Sequence, residues 1–286
     1  MIPAAFGYQR PASLDEALRI LADDDGAKVL AGGHSLLPLL KLRLGAAETL
    51  IDIGRLAELK GVRQLPDGRL SIGALTTYRE LEASPAKHYG LLGDAVPRIG
   101  DVQVRNRGTV GGAIAHADPA SDLPACLLAL DAEVVARSAK GERTIAIGDF
   151  FVGPFATALD PGEILTEIRL PGPRDDAGSA YATLEQAASG YAMVGVAAVV
   201  FVGEGRRIVT ANVALTGVGD HAYRARAVEE ALAGSDGSAA AIEAAAAHAT
   251  DGIEVASDIH ADRAYRTAMA AVFTRRAIEA ALARLT

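Results

Sequence analysis

Cysteine is almost absent: among 286 residues there is one, Cys126. A single thiol forms no internal disulfide, and it cannot hold an iron–sulfur cluster or a structural zinc, which usually take about four ligands rich in thiolate. Tryptophan is missing and aromatics make up only 5% of the chain, so the hydrophobic 50% is built mainly from Ala, Leu, Val and Ile, a globular rather than a disordered composition. Basic residues are in deficit, 28 Lys and Arg against 36 Asp and Glu, for a net charge of −8. That balance argues against a chain-wide nucleic-acid or anionic-lipid footprint. Long apolar runs are also lacking. The longest, Tyr191 to Val202, falls well short of the roughly 20 residues of a membrane span, and the start MIPAAFGYQRPAS has neither the basic nor the apolar region of a secretion signal. A soluble, cytoplasmic protein with no membrane span and no metal centre of its own is expected.

What is present reads as two lobes and a further domain. Ser13 and Glu16 match a capping box, and Leu14, Ala17, Leu18 and Leu21 share one helical face. Lys28 to Ala31 reads as a short strand that runs into Gly32 and Gly33, a short helix LLPLLKLRL and a strand TLIDIG. From Gly61, GVRQL and RLSIGAL flank the turn Pro66-Asp67-Gly68 as a hairpin, followed by a helix at TTYRELEAS. Next come a Pro-bounded segment to Gly100 and the polar, glycine-rich passage QVRNRGTVGGAIAHADPASD. A helix at Leu123–Leu130 and strands at AEVVARS, RTIAI and ILTEIRL follow. PGPRDDAGS, Pro171 to Ser179, is the best linker candidate. Beyond it come three strands, YATLEQ, MVGVAAVVFV and RIVTANVAL, and three Ala-rich helices.

Two glycine-rich segments carry the chemistry: AGGHSLLP at Ala31–Pro38 and RGTVGGAIAHADPASD at Arg107–Asp122. Lacking a Cβ, glycine lets an anion approach the main chain and permits turns that aim successive N–H groups into a nest, while Ser35 and Thr109 add hydroxyls. Two such nests in separate lobes point to a dinucleotide lying between them, its phosphate charge offset by Arg105 and Arg107. The carboxylates of Asp118 and Asp122 would repel phosphate, so with Ser121 they suit ribose or sugar-alcohol hydroxyls or an adenine amine; Ser121 or Asp122 equally suits the N-cap of the following helix. Gly217, Gly219 and Ala222 spell GxGxxA, but no second strand with an acidic ribose ligand follows. His116 and Asp118 form a bare HxD without metal-site spacing, no GxSxG nucleophile is present, and Cys126 in ACLLAL reads as core.

The segments AGGHSLLPLLKLRL, IGALTTYREL, RGTVGG with HADPASDLP, EILTEIRLP and GYAMVGVAAV, in this order, resemble the FAD-binding medium subunits of molybdenum hydroxylases. That family includes the carbon monoxide dehydrogenase medium subunit and the flavin domain of xanthine dehydrogenase. The resemblance implies an α+β fold: a two-lobed FAD-binding region of the vanillyl-alcohol-oxidase (PCMH) type over 1–173, with lobes of about 1–57 and 58–173, and over 174–286 a small domain with a three-stranded antiparallel sheet and a helical bundle. It implies that Ala31, Gly32, Gly33, His34 and Ser35, with Leu36 next to them, form a first flavin-diphosphate loop. Thr109, Val110, Gly111, Gly112 and Ala113 would form a second. By the same resemblance Asp122 meets polar groups of the cofactor, Leu165 contacts the ring region through its backbone, and Tyr191 stands over the isoalloxazine. With Asp118 and Ser121 these make up the expected cofactor set, with no catalytic or metal-ligating residue beside it.

The implied function is an oxidoreductase subunit that takes electrons from [2Fe–2S] clusters on a small iron–sulfur chain, which receives them from a molybdopterin cofactor on a large chain, and passes them through FAD to an external acceptor. A duplicated heterotrimer is implied. The chain departs from the family pattern at Ala113, where Asn is common, and at Thr183–Gly190, which lacks the usual basic residues and Asp. The competing readings are a self-contained flavoprotein oxidase, with a flavin attached to the GGH histidine, and a flavin-free binding or scaffold protein of the same fold.

Overall fold

Capping and apolar spacing build the first lobe. The computed structural model describes residues 2–285. Its first elements are β1 (Gly7–Gln9), α1 (Leu14–Asp23), β2 (Ala27–Leu30), α2 (Leu36–Leu42) and β3 (Thr49–Asp52). The strands form a parallel sheet in the order β1-β3-β2. Ser13 Oγ accepts the Glu16 N–H at 3.2 Å, and Glu16 reaches back to the Ala12 N–H at 2.7 Å, one residue before the partner that a capping box requires. Leu14, Ala17 and Leu18 then face inward onto Ile51 and Ile53.

The second lobe starts with the expected hairpin, β4 (Val62–Gln64) and β5 (Leu70–Gly73), whose turn uses Gly68 at φ +87°. Four short helices follow α3 (Tyr78–Glu82): α4 (Gly90–Ala95), α5 (Val102–Arg105), α6 (Val110–His116) and α7 (Asp122–Ala129). Three of them, α4, α5 and α6, occupy stretches in which the sequence shows no distinct element. Helices this short show little periodicity and draw their stability from tertiary packing. In α6 the packing needs glycine, because a Cβ on Gly111 would lie 2.5 Å from the Cβ of Ala74. Strands β6 (Glu133–Ser138), β7 (Gly141–Ala146), β8 (Phe151–Gly153), β9 (Ala156–Thr157) and β10 (Ile164–Leu170) complete the lobe. β10, the last in sequence, inserts in the middle of an antiparallel sheet ordered β4-β5-β10-β6-β7.

The third unit is an antiparallel sheet, β11 (Ala177–Glu185), β12 (Ala192–Val202), β13 (Ile208–Thr216) and β14 (Tyr223–Arg224), covered by α8 (Arg226–Leu232), α9 (Ala239–Ala246) and α10 (Arg263–Ala283). It has one strand more than the three expected: β14 is two residues long, too short to leave an alternating pattern. β11 begins inside the linker candidate, so the irregular connection shrinks to 171–176. The sheet is buried on both faces. Val194, Val196, Ala198 and Val200 of β12 face the helices, whereas Ala197 and Val199 join the core of the second lobe, which is why this strand reads as an unbroken apolar run. Helix α7, buried at all of its positions, lies beneath that face and carries Cys126 into the core. Arg284 ties the end of α10 to α4, donating to both carboxylate oxygens of Asp94 at 2.7 and 2.8 Å and to the Ser179 carbonyl at 2.6 Å. Among the described residues, no helix is long and apolar enough to cross a membrane.

Gly178 in β11 is where α10 comes closest: a Cβ there would lie 2.0 Å from the Ala281 carbonyl oxygen. Gly178→Ala should lower unfolding free energy by about 1–3 kcal/mol. Gly148→Ala, with open space around its Cβ, should change it by less than about 1 kcal/mol. Urea denaturation of the two variants checks this; equal midpoints would contradict the packing described.

Candidate functional site

A cleft of about 540 Å³ runs between the two lobes and is closed at one end by the tip of the β11–β12 hairpin. The first lobe contributes Ala31, Gly32, Gly33, His34, Ser35 and Leu36, and the second contributes Thr109, Gly111, Gly112, Ala113, Asp118, Ser121, Asp122 and Leu165; Tyr191 comes from the hairpin. Of the expected cofactor set only Val110, the first residue of α6, does not line it, its side chain being buried in the core of the second lobe.

The lobes meet backbone to backbone at the glycines. A Cβ on Gly32 would lie 2.2 Å from the Arg107 carbonyl oxygen, and Gly33 turns the chain at φ +80°. The N–H groups of Gly32, Gly33, His34, Ser35 and Leu36 have no acceptor among the described residues. The second glycine run differs from the expected nest. The N–H of Val110 donates to the Thr76 carbonyl and that of Gly111 to the Ala74 carbonyl, both at 2.9 Å, while Ala113 donates to the Thr109 carbonyl at 3.1 Å. Gly112 donates to Thr109 Oγ1 at 3.2 Å. Those amides cap and dock α6, so Val110 to Ala113 offer no row of free donors like that of Gly32 to Leu36. Neither the Arg105 nor the Arg107 side chain lines the cleft; Arg105 donates to the Ile99 and Gly100 carbonyls at 3.3 and 3.1 Å and so holds the wall those two residues form.

The hairpin end of the cleft is acidic. Asp118 Oδ1 accepts the Ala120 N–H at 2.9 Å in a local turn. Ser121 stands at the N-cap of α7 without a side-chain capping bond, and Asp122 is the first helical residue. Asp122 is buried, and the Tyr181 hydroxyl donates to its Oδ1 at 2.5 Å. Burial pushes the Asp122 carboxyl up to about 6; the Tyr181 bond and the charge of Arg98 oppose the rise, and Glu185 adds to it. Arg98 and Glu185 are themselves paired at 3.2 Å. In the segment Thr183–Gly190, which lacks basic residues, the nearby cation therefore comes from the second lobe. Leu165 sits at a bulge in β10, between its pairing positions Leu165 and Glu167, which turns the strand beside the cleft. Tyr191, 46% exposed, follows a hairpin turn closed by the Gln186 N–H on its carbonyl at 2.8 Å.

Sequence reasoning missed Tyr78 and Tyr181. Tyr78 lines the cleft with its ring under Gly108, where a Cβ would lie 2.6 Å from Tyr78 Cε2; burial pushes its phenol upward. The only hint was the Thr-x-x-Glu cap at Thr77 and Glu80 that fixes the start of α3. The GxGxxA stretch leads into β14 and not into a helix. His116 packs against Phe155 with the rings tilted at 49° and their centroids 5.1 Å apart. No cluster of metal-binding side chains occurs among the described residues.

A two-lobed cleft with free main-chain donors on one lobe and buried acid on the other defines a nucleotide-cofactor protein, and comparison with known proteins gives its class. Residues 4–173 match the FAD binding domain in molybdopterin dehydrogenase, and residues 179–281 match the CO dehydrogenase flavoprotein C-terminal domain. The chain belongs to the FAD-binding medium subunits of the molybdenum hydroxylase family, which are oxidoreductase subunits. It is 40% identical over 287 residues to the carbon monoxide dehydrogenase medium chain of Hydrogenophaga pseudoflava, covering 99% of each chain. To the glyceraldehyde dehydrogenase medium chain of Sulfolobus acidocaldarius it is 38% identical, covering 98% of this chain and 99% of the relative. In the solved carbon monoxide dehydrogenase from H. pseudoflava lacking the Mo-pyranopterin moiety, one chain matches with a TM-score of 0.96 and 42% identity over all of both chains.

The cleft fits the cofactor of this family. Its volume lies within the range usual for cofactor sites, Gly32 and Gly33 leave room for an anion on the main chain, and the amides of 32–36 are unspent donors suited to a diphosphate.

The raised carboxyl gives a pH test. Asp122 ionises near 3.8 in the unfolded chain and near 6 in the fold. Across that window the fold holds a proton that the unfolded chain has lost, so stability falls as pH rises, by on the order of 2–3 kcal/mol. Asp122→Asn keeps an acceptor for Tyr181 and removes this loss: the flavin-free variant should match the parent at pH 4 and exceed it at pH 7. Thermal melts that stay parallel across the window would contradict it.

Proposed function

We infer that this chain is the electron-exit subunit of a cytoplasmic complex. A large molybdopterin chain oxidises the substrate, a small chain carries [2Fe–2S] clusters, and the three chains form a duplicated heterotrimer. The observation that carries this reading is the end-to-end similarity, at 40% and 38% identity, to medium chains of enzymes named for carbon monoxide and for glyceraldehyde. Two substrates with so little in common leave flavin handling as the shared task. FAD supplies the ability to link single-electron donors to acceptors that take pairs.

The residues divide the work. The amides of Gly32 to Leu36 hold the diphosphate, with the hydroxyls of Ser35 and Thr109 beside them. Gly111, Gly112 and Ala113 supply a close-packed floor over the buried Val110. Asp118, Ser121 and Asp122 accept hydrogen bonds from cofactor hydroxyl or amine groups at the acidic end. Leu165 offers its main chain at the β10 bulge, and Tyr191 limits access at the mouth. Under this reading 1–173 is the flavin-binding unit, and 174–286 supplies the hairpin that closes it. One cysteine, fully buried, leaves the chain dependent on another for clusters.

Gly33→Asp adds a Cβ 2.9 Å from Leu37 Cδ1 and a negative charge to the donor loop. The variant should fold, by circular dichroism, yet retain less than a tenth of the parent's flavin. Affinity purification of the chain from its native host should bring two further chains, one of them rich in cysteine. The isolated flavin-loaded chain should not oxidise aldehydes or N-heterocycles. Retained flavin in the variant, or turnover at about 1 per second or more by the chain alone, would overturn the reading.

A further inference from the structure

The acidic end of the cleft is held in place from outside the two lobes. Three consecutive carbonyls lead into Asp122, those of Pro119, Ala120 and Ser121, and each accepts a hydrogen bond from the third unit. The Gly217 N–H donates to the Pro119 carbonyl at 2.7 Å, and the Ala192 N–H donates to the Ala120 carbonyl at 3.3 Å. The Thr216 hydroxyl lies 2.7 Å from the Pro119 carbonyl oxygen and 2.9 Å from that of Ser121, with one hydrogen to share between them. Thr216 is fully buried, at the last position of β13. Within the loop, Asp118 Oδ1 accepts the Ala120 N–H and the Asp118 carbonyl accepts the Ser121 N–H at 3.0 Å. Little freedom is left to the backbone that delivers Asp122.

Tyr181 fixes the side chain that this backbone delivers. Its N–H donates to Asp94 Oδ2 at 3.0 Å, on the carboxylate that Arg284 also binds. Its ring crosses the neighbouring strand at Gly195, where the hydroxyl occupies the space a Cβ would need, and that hydroxyl donates to Asp122 Oδ1 at 2.5 Å. Asp122 lines the cleft, and its Oδ2 takes no hydrogen bond from another of the described residues, so Oδ2 is the oxygen left for a ligand. The other titratable groups around Asp122 are Glu185 of β11, Arg98 after α4, Tyr78 of α3, Tyr191 of the hairpin, Asp118 ahead of α7 and Cys126 within it. None of them hydrogen-bonds its carboxylate, which leaves Tyr181 as its one side-chain donor among the described residues. A buried carboxylate that loses such a donor holds its proton to higher pH.

We propose that Tyr181 and Thr216 are positioning residues of the cofactor site: Thr216 sets the 119–121 backbone and Tyr181 sets the Asp122 carboxylate, so that Asp122 Oδ2 and the Ser121 side chain meet hydroxyl or amine groups of the cofactor. The third unit thus builds the acidic end of the cleft as well as closing it. This inference rests on the reading of the cleft as a flavin site.

The test uses the full-length chain. FAD affinity is read by flavin fluorescence, and the Asp122 carboxyl by its ¹³C resonance in protein labelled at aspartate carboxyls, assigned by its loss in Asp122→Asn. Tyr181→Phe keeps the ring over Gly195 and removes the hydroxyl. It should raise the pH at which Asp122 titrates in the flavin-free chain by about one pH unit and weaken FAD binding at pH 7 about fivefold or more. In an Asp122→Ala background the same substitution should change affinity by less than about twofold, because Tyr181 acts through Asp122. Thr216→Val should weaken FAD binding about threefold or more, whereas Thr216→Ser, which keeps the hydroxyl, should bind FAD as the parent does. Affinity unchanged in either Tyr181→Phe or Thr216→Val would overturn the proposal, as would a Tyr181→Phe loss that persists in Asp122→Ala. Failure of the parent chain itself to load flavin would overturn the reading of the cleft, and this proposal with it.

Discussion

The architecture turns on a contact without side chains: Gly32 of the first lobe seated on the Arg107 carbonyl of the second. A Cβ at 2.2 Å would force the lobes apart, and the cleft exists because none is there. Beside that contact the amides of 32–36 line the cleft and meet no acceptor among the described residues. On the other side of the seam, Gly111 lets α6 lie on Ala74, and the α6 amides are spent in doing so. Two glycine runs of similar appearance thus do different jobs. One presents donors and the other packs a helix.

The charge distribution follows from this division. The donor loop lies in the first lobe, while Asp118 and Asp122 come from the second, beside the hairpin of the third unit. A dinucleotide can place its diphosphate at one end and hydroxyl or amine donors at the other without bringing phosphate against carboxylate. Asp122 is tuned by all three sources: burial in α7, the hydroxyl of Tyr181 from β11, and the Arg98–Glu185 pair that joins the second lobe to the hairpin. The double-faced burial of β12 anchors the base of that hairpin, because the sheet that carries it is part of the second lobe's core.

Much of this was legible in the sequence where the signal is local. The α1 face, the Pro66–Gly68 hairpin, the two glycine loops and every strand but the two- and three-residue β1, β8, β9 and β14 follow from periodicity and turn chemistry. What stayed hidden depends on partners far along the chain. That the Val110 and Gly111 amides are taken cannot be read without knowing that Thr76 and Ala74 lie across from them. Short helices such as α4 and α5 carry too few turns for a pattern, and β10 finds its central place in the sheet only by pairing with strands about 30 and 100 residues earlier. Tyr78 and Tyr181 look like core aromatics in sequence. Their importance comes from what they face.

Under the proposed reading the amides of Gly32 to Leu36, and not those of Val110 to Ala113, hold the diphosphate of the cofactor. Residue-resolved amide hydrogen exchange, with and without FAD, tests it most directly. Gly32 to Leu36 should exchange fast in the flavin-free chain and become protected when FAD binds, while Val110 to Ala113, bonded within the protein, should be protected in both states. Unchanged exchange at 32–36 on binding, or protection at 110–113 that appears only with FAD, would contradict the account.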